Sequence, residues 1–181
     1  MTRRRWLIVL GAVAIALAIA LLAVDPSRKG EGFPGIVDWE FAASQERAAE
    51  ILGEWGDEGQ DAARLSLWLD FLYIAAFGAF FALAAAATRD LAAARGWRRM
   101  AEFGPVAFWC ALGGALADAI EDVFLLIALG GDGGDLAPRL GTSFAALKFA
   151  LLTIAIAYIL AGLVLRLRDH RRSRRAAAAA G

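Results

Sequence analysis

The chain has 181 residues, 60% of them hydrophobic, a formal net charge of zero, one cysteine and one histidine. With a mean hydropathy of +0.56 and four separate apolar runs of about 20 residues each, it is too apolar for a soluble domain and reads as a small integral membrane protein. A lone Cys110 excludes an intramolecular disulfide or a thiolate-based metal centre, and the only histidine, His170, lies in the basic C-terminal stretch. The side chains left for chemistry in the apolar runs are carboxylates, one lysine, tyrosines and hydroxyls. No cofactor is expected.

Arg3, Arg4 and Arg5 precede an uncharged run over residues 6–24. Nineteen helical residues span roughly 28 Å, close to the hydrocarbon thickness of a bilayer. The run exceeds the usual length of a signal-peptide core and lacks a small-residue cleavage site, so a retained helix is expected. Its Gly11, Ala12, Ala16 and Ala20 ridge suits close packing on a neighbour.

Residues 25–64 form a long loop with ten acidic and four basic residues. Pro26, Gly30, Gly32, Pro34 and Gly35 predict irregular chain at its start. Ser44 is then a good N-cap for a short helix over 44–55, with Gly56 beyond it as a stop. Ala48, Ile51, Leu52 and Trp55 share one face, opposite Glu46, Arg47, Glu50 and Glu54. This amphipathic helix is expected to pack over the mouth of a bundle; a solvated linker helix is the alternative.

A second spanning helix is expected over 65–88, extending to Gly96, with Ser66, Asp70, Tyr73 and Phe77 on one stripe. Four arginines (89, 95, 98 and 99) follow it, and a third apolar segment covers 105–129 with Pro105 in its first turn. Residues 130–135 are a glycine-rich turn; its two aspartates lack the ligand spacing of a calcium loop. A fourth helix over 140–165 contains Lys148, and an arginine cluster and an alanine tract over 176–181, expected to be disordered, end the chain. The expected fold is all-α: a four-transmembrane-helix bundle forming one membrane domain over 1–175. Thirteen arginines lie at the N-terminus, in the 89–99 connection and at the C-terminus, against five basic residues on the opposite side. The positive-inside rule then puts both termini in the cytoplasm and the long loop outside, and a multi-pass inner (plasma) membrane location is expected.

The third segment points to chemistry. Asp118, Glu121 and Asp122 fall on one helical face of an otherwise apolar run. Each acidic group at the centre of a membrane helix costs roughly 2.5–3.5 kcal/mol, so three on one face should look into a bundle or a wet cavity rather than at lipid. Counted from the helix ends at about 1.5 Å per residue, they lie in one layer with Asp70 and Lys148. Lysine is a compact charge suited to an ion pair or to proton handling, whereas arginine is the better permanent bidentate partner. One carboxylate can pair with Lys148; the others must be protonated, hydrated or neutralised by something bound.

No catalytic motif fits. The intramembrane aspartyl protease pattern fails at Leu116-Ala117-Asp118, prenyl- and alcohol-transferase aspartate spacings are absent, and there is no histidine for a di-iron bundle. Nucleic-acid binding is not expected of the terminal arginines, which suit an anionic inner leaflet. Asp38-Trp39-Glu40-Phe41, Leu69-Asp70-Phe71 and Asp118-Ala119-Ile120-Glu121-Asp122 together resemble a group of uncharacterised bacterial four-helix membrane proteins. Those carry an Asp-x-x-Glu-Asn pattern in the third helix; here Asp122 stands in place of the Asn. The resemblance implies the topology and brings no activity.

The functional expectation is binding of a small solute or cation, with proton coupling open, by Asp118, Glu121, Asp122, Lys148, Asp70 and Tyr73 in the outer half of the bundle. The rival is a structural or assembly protein whose charge cluster only fixes helix packing. A third possibility, an intramembrane enzyme, would require a substrate-sized opening, and metal binding is left open. The expected partners are the bilayer, a small cationic or polar ligand, and a second copy or another membrane protein.

Overall fold

Among the described residues, five helices follow one another: α1 (Arg3–Val24), α2 (Ile36–Glu40), α3 (Gln45–Ala94), α4 (Arg98–Leu129) and α5 (Leu136–Ala179). The computed structural model describes residues 2–26 and 32–179, and among these the protein is all-helical, with no strands. Three helices, α1, α3 and α5, are long and apolar enough to cross a membrane. The helix α4, 32 residues long, lies between α3 and α5 and packs on both. The helix α1 packs chiefly on α3 and is otherwise peripheral.

Small residues let these helices approach closely. A Cβ on Gly78 of α3 would lie 2.7 Å from that of Ala115 on α4, and one on Gly114 would lie 2.8 Å from Leu152 on α5. Of the expected Gly11, Ala12, Ala16 and Ala20 ridge, Gly11 does pack closely, with a Cβ there 3.2 Å from the Phe80 ring of α3, but the ridge as a whole is not the packed face of α1. Ala12 and Ala16 are exposed; Ala14 is the buried residue, joined by Leu17 against Ile74, Ala76 and Phe77. Because α1 is apolar on every side, its sequence does not single out the contact face.

Helix boundaries also depart from expectation in places. Ser44 caps α3 as expected, its Oγ accepting from Arg47 N at 3.2 Å. Asp135 of the glycine-rich turn supplies a second cap, accepting from Gln45 N at 2.9 Å. Gly56, at φ 60 and ψ −172, breaks the helix, but α3 resumes immediately after it rather than at residue 65. Gln60 spans the break by donating Nε2–H to Leu52 O at 3.0 Å, and Gly59 and Ala63 bury the inner face of the added turns. The helix α4 begins at Arg98, so Pro105 lies inside it. The helix α5 begins at Leu136 and runs through the arginines and alanines to Ala179, consistent with the high helix propensity of both. The remaining two residues of the alanine tract, and residues 27–31 of the expected irregular stretch, lie outside the described residues.

The two ends of the bundle differ. At one, Arg3 of α1 pairs with Asp90 of α3, and Arg95 pairs with Asp169 of α5 at 3.2 Å. At the other, α2 and the start of α3 fold over the helices. Trp39 and Trp55, 2% and 1% exposed, meet edge to face at 5.4 Å. The Trp55 indole donates to Pro34 O at 2.7 Å. With Ile51, Ala63 and Leu67 they pack on Leu125 and Leu129 of α4. The face predicted from Ala48, Ile51, Leu52 and Trp55 is the one that packs. This cap sets the position of Glu40.

Candidate functional site

Beneath the cap, four helices present ionisable side chains to one another. Lys148 of α5 is 6% exposed and its ammonium faces three carboxylates. Asp118 Oδ1 accepts its hydrogen bond at 2.7 Å. Glu121 Oε2 lies at 2.8 Å and Glu40 Oε2 at 3.4 Å, as ion-pair contacts without hydrogen-bond alignment. One of the three N–H donors of the ammonium is thus used in a hydrogen bond, and the other two carboxylates act on it by charge. Glu121 is fully buried, and its Oε1 has no hydrogen-bond partner.

Asp118 also belongs to a second group. One carboxylate oxygen each from Asp70, Asp118 and Asp122 lie within 4.8 Å of one another. Asp122 is 1% exposed, and no donor outside the carboxylate cluster hydrogen-bonds its Oδ2. The ion pairs of Lys148 are with Asp118, Glu121 and Glu40, and so do not extend to Asp70 or Asp122.

A cavity of about 570 Å3 adjoins this second group. Ala18, Leu21 and Leu22 of α1 form one wall, and Tyr73, Phe77 and Phe81 of α3 another. Phe149, Leu152 and Ile156 of α5 close a third side, while Asp25, Ile36 and Val37 bring the cavity to the capped end. Its lining includes the polar residues Glu40, Ser66, Asp70, Asp118, Asp122 and Lys148. A largely apolar chamber with a few convergent polar groups has the character of a small-ligand site. A second cavity, about 490 Å3, lies at the arginine end among Arg95, Arg166, Asp169 and His170, away from the carboxylates.

All six residues singled out from the sequence therefore border one region. Asp70, Tyr73, Asp118, Asp122 and Lys148 line the cavity; Glu121 lies behind it against Lys148. Glu40 was not legible as part of the group. It is one of ten acidic residues in its segment, and only the tryptophan packing turns it inward, with Glu40 O accepting from Thr142 Oγ1 at 2.8 Å. Burial pushes the Glu40 carboxyl above its ordinary value; Lys148 pulls it down and the charge of Asp118 adds to the rise. The neighbouring Trp39, indispensable to the cap, was the available signal.

Chemically the arrangement opposes five carboxyl groups to one ammonium in a region of low solvent exposure. Lys148 can balance one negative charge, and the rest of the charge requires protons, water or a bound cation. No protein-family model, curated protein or solved structure matches the chain.

Proposed function

We propose that the chain is a four-span membrane protein that binds a small cationic or polar solute in the acidic cavity under its extracytoplasmic cap. In this topology α4 is the fourth span, since a helix of 32 residues packed between α3 and α5 has little other place to go. The arginine end faces the cytoplasm of a bacterial inner membrane, and the acidic, capped end faces outward. The observation that carries the binding role is the division of the charges. Lys148 is paired by Glu40, Asp118 and Glu121, whereas Asp70 and Asp122, which line the same cavity of about 570 Å3, have no ion pair with it. Open space beside carboxylates that Lys148 does not pair supports binding over packing alone.

The second reading, a structural or assembly role, is favoured by the saturation of Lys148. One ammonium ties α2, α4 and α5 together, which would pin their register. A thermal-stability screen of the purified protein separates the two. Monovalent and divalent cations, amines and lipids are added to wild type and to Asp118→Asn. A ligand-specific rise in melting temperature that Asp118→Asn abolishes supports binding. No response to any ligand, with Asp118→Asn only less stable, supports the structural role.

A further inference from the structure

We infer that Asp70, Asp118 and Asp122 hold a hard divalent cation. This rests on the solute-binding reading above and names the class of its occupant. Oxygens bound to one ion lie on a common sphere, so with bonds of about 2.4 Å they can be no more than about 4.8 Å apart. The three aspartates meet that limit, each with one oxygen and all within 4.8 Å of one another. The second observation is independent of the cluster's composition. Asp122 lines the cavity at 1% exposure, yet no donor outside the carboxylate cluster hydrogen-bonds its Oδ2. A buried carboxylate oxygen without a donor is costly to leave so, and a coordinated cation removes that cost.

The donor set selects the ion. Carboxylate oxygens suit Ca2+, Mn2+ or Mg2+, whereas zinc, copper and iron–sulfur chemistry want imidazole or thiolate. His170 borders the other cavity and Cys110 does not line this one. Two further features fit. Asp118 gives Oδ1 to Lys148, which orients its carboxylate as outer-shell partners commonly do for metal ligands. The cavity of about 570 Å3 leaves room for the waters that complete a hard ion's shell, at about 30 Å3 each. Its extension to Asp25 and Val37 provides access from the capped end.

The test is a titration of the purified full chain with Mn2+, following loss of the free-ion signal by electron paramagnetic resonance. The expected result is one Mn2+ per chain, displaced by Ca2+, with binding weakened at least about tenfold in Asp122→Asn and in Asp70→Asn. Asp132→Asn, in the exposed turn, should bind as wild type. Asp70 is only half-buried, so its variant keeps the test decisive should Asp122→Asn fail to fold. Absence of stoichiometric Mn2+, or binding unchanged in Asp70→Asn, overturns the inference. If Mn2+ fails but an alkylammonium ion stabilises wild type and not Asp122→Asn, the metal assignment falls while the solute site stands. If neither binds, both fall.

Discussion

Lys148 Nζ lies 2.7 Å from Asp118 Oδ1, across the contact between α5 and α4. The pair holds the one buried ammonium of the site against a carboxylate that also faces Asp70 and Asp122. Removing one partner of a buried ion pair costs about 3–5 kcal/mol, because the other charge stays behind without compensation. Lys148→Met should therefore lower the melting temperature sharply, since Glu40, Asp118 and Glu121 all lose their cation. Adding Asp118→Asn to Lys148→Met should recover part of the loss, giving a coupling energy of at least about 1 kcal/mol in a double-mutant cycle. Simple additivity would mean that the pair contributes nothing specific.

Glu40 predicts a pH dependence. Its carboxyl is raised above the ordinary value of 4.5, chiefly by burial. A raised acid binds its proton more tightly in the folded state. Its contribution to stability is complete below the unfolded value and is lost as pH rises through the folded one. Glu40→Gln mimics the protonated form and removes this loss. The melting-temperature difference, variant minus wild type, should thus grow from pH 4 upward until Glu40 is fully ionised. A difference that is flat with pH, or that shrinks, contradicts the burial of Glu40 against Lys148.

How much of this was visible in the sequence depends on which physical signal each residue carried. Asp118, Glu121 and Asp122 announced a shared interior face because helical periodicity and the cost of charge in lipid act on them locally. Asp70 and Lys148 could be added by depth alone. Ser44 and Gly56 marked the ends of the cap helix through backbone chemistry that needs no tertiary partner. Glu40 could not be found this way, since its burial is produced by Trp39 meeting Trp55 across a turn. The extra helical turns after Gly56 were hidden by Asp57, Glu58 and Asp61, whose charges obscure the buried Gly59 and Ala63. For α1, uniform apolarity left several equivalent faces, and Ala14, not Ala12, is the alanine buried against α3.

The approach of α4 to α5 depends on Gly114. A Cβ there meets Leu152 at 2.8 Å, so Gly114→Val should cost about 1–3 kcal/mol through overpacking. It should also weaken the Lys148 contacts by separating the two helices. Gly53 is the matched control: it lies in a helix with nothing within 4 Å of an added Cβ. Gly53→Ala should be neutral or stabilise by about 0.5–1 kcal/mol through helix propensity. Thermal melts of both variants in the same detergent check the contrast. Equal losses at the two positions would show that the close contact is not what holds α4 to α5.

The central claim is that the cavity favours cations, and thiol labelling measures this directly. Ser66 lines the cavity at 5% exposure and can be exchanged for cysteine with little change of shape, after the native thiol is removed by Cys110→Ala. The labelling rates of a cationic and an anionic methanethiosulfonate reagent of similar size are then compared, beside the same chain carrying Asp122→Asn. The account predicts that the cationic reagent reacts at least about tenfold faster, as expected of a cleft lined by one sign of charge, and that Asp122→Asn narrows the gap. Equal rates for the two reagents, or a gap that Asp122→Asn leaves unchanged, would contradict it and leave the carboxylates as a packing device.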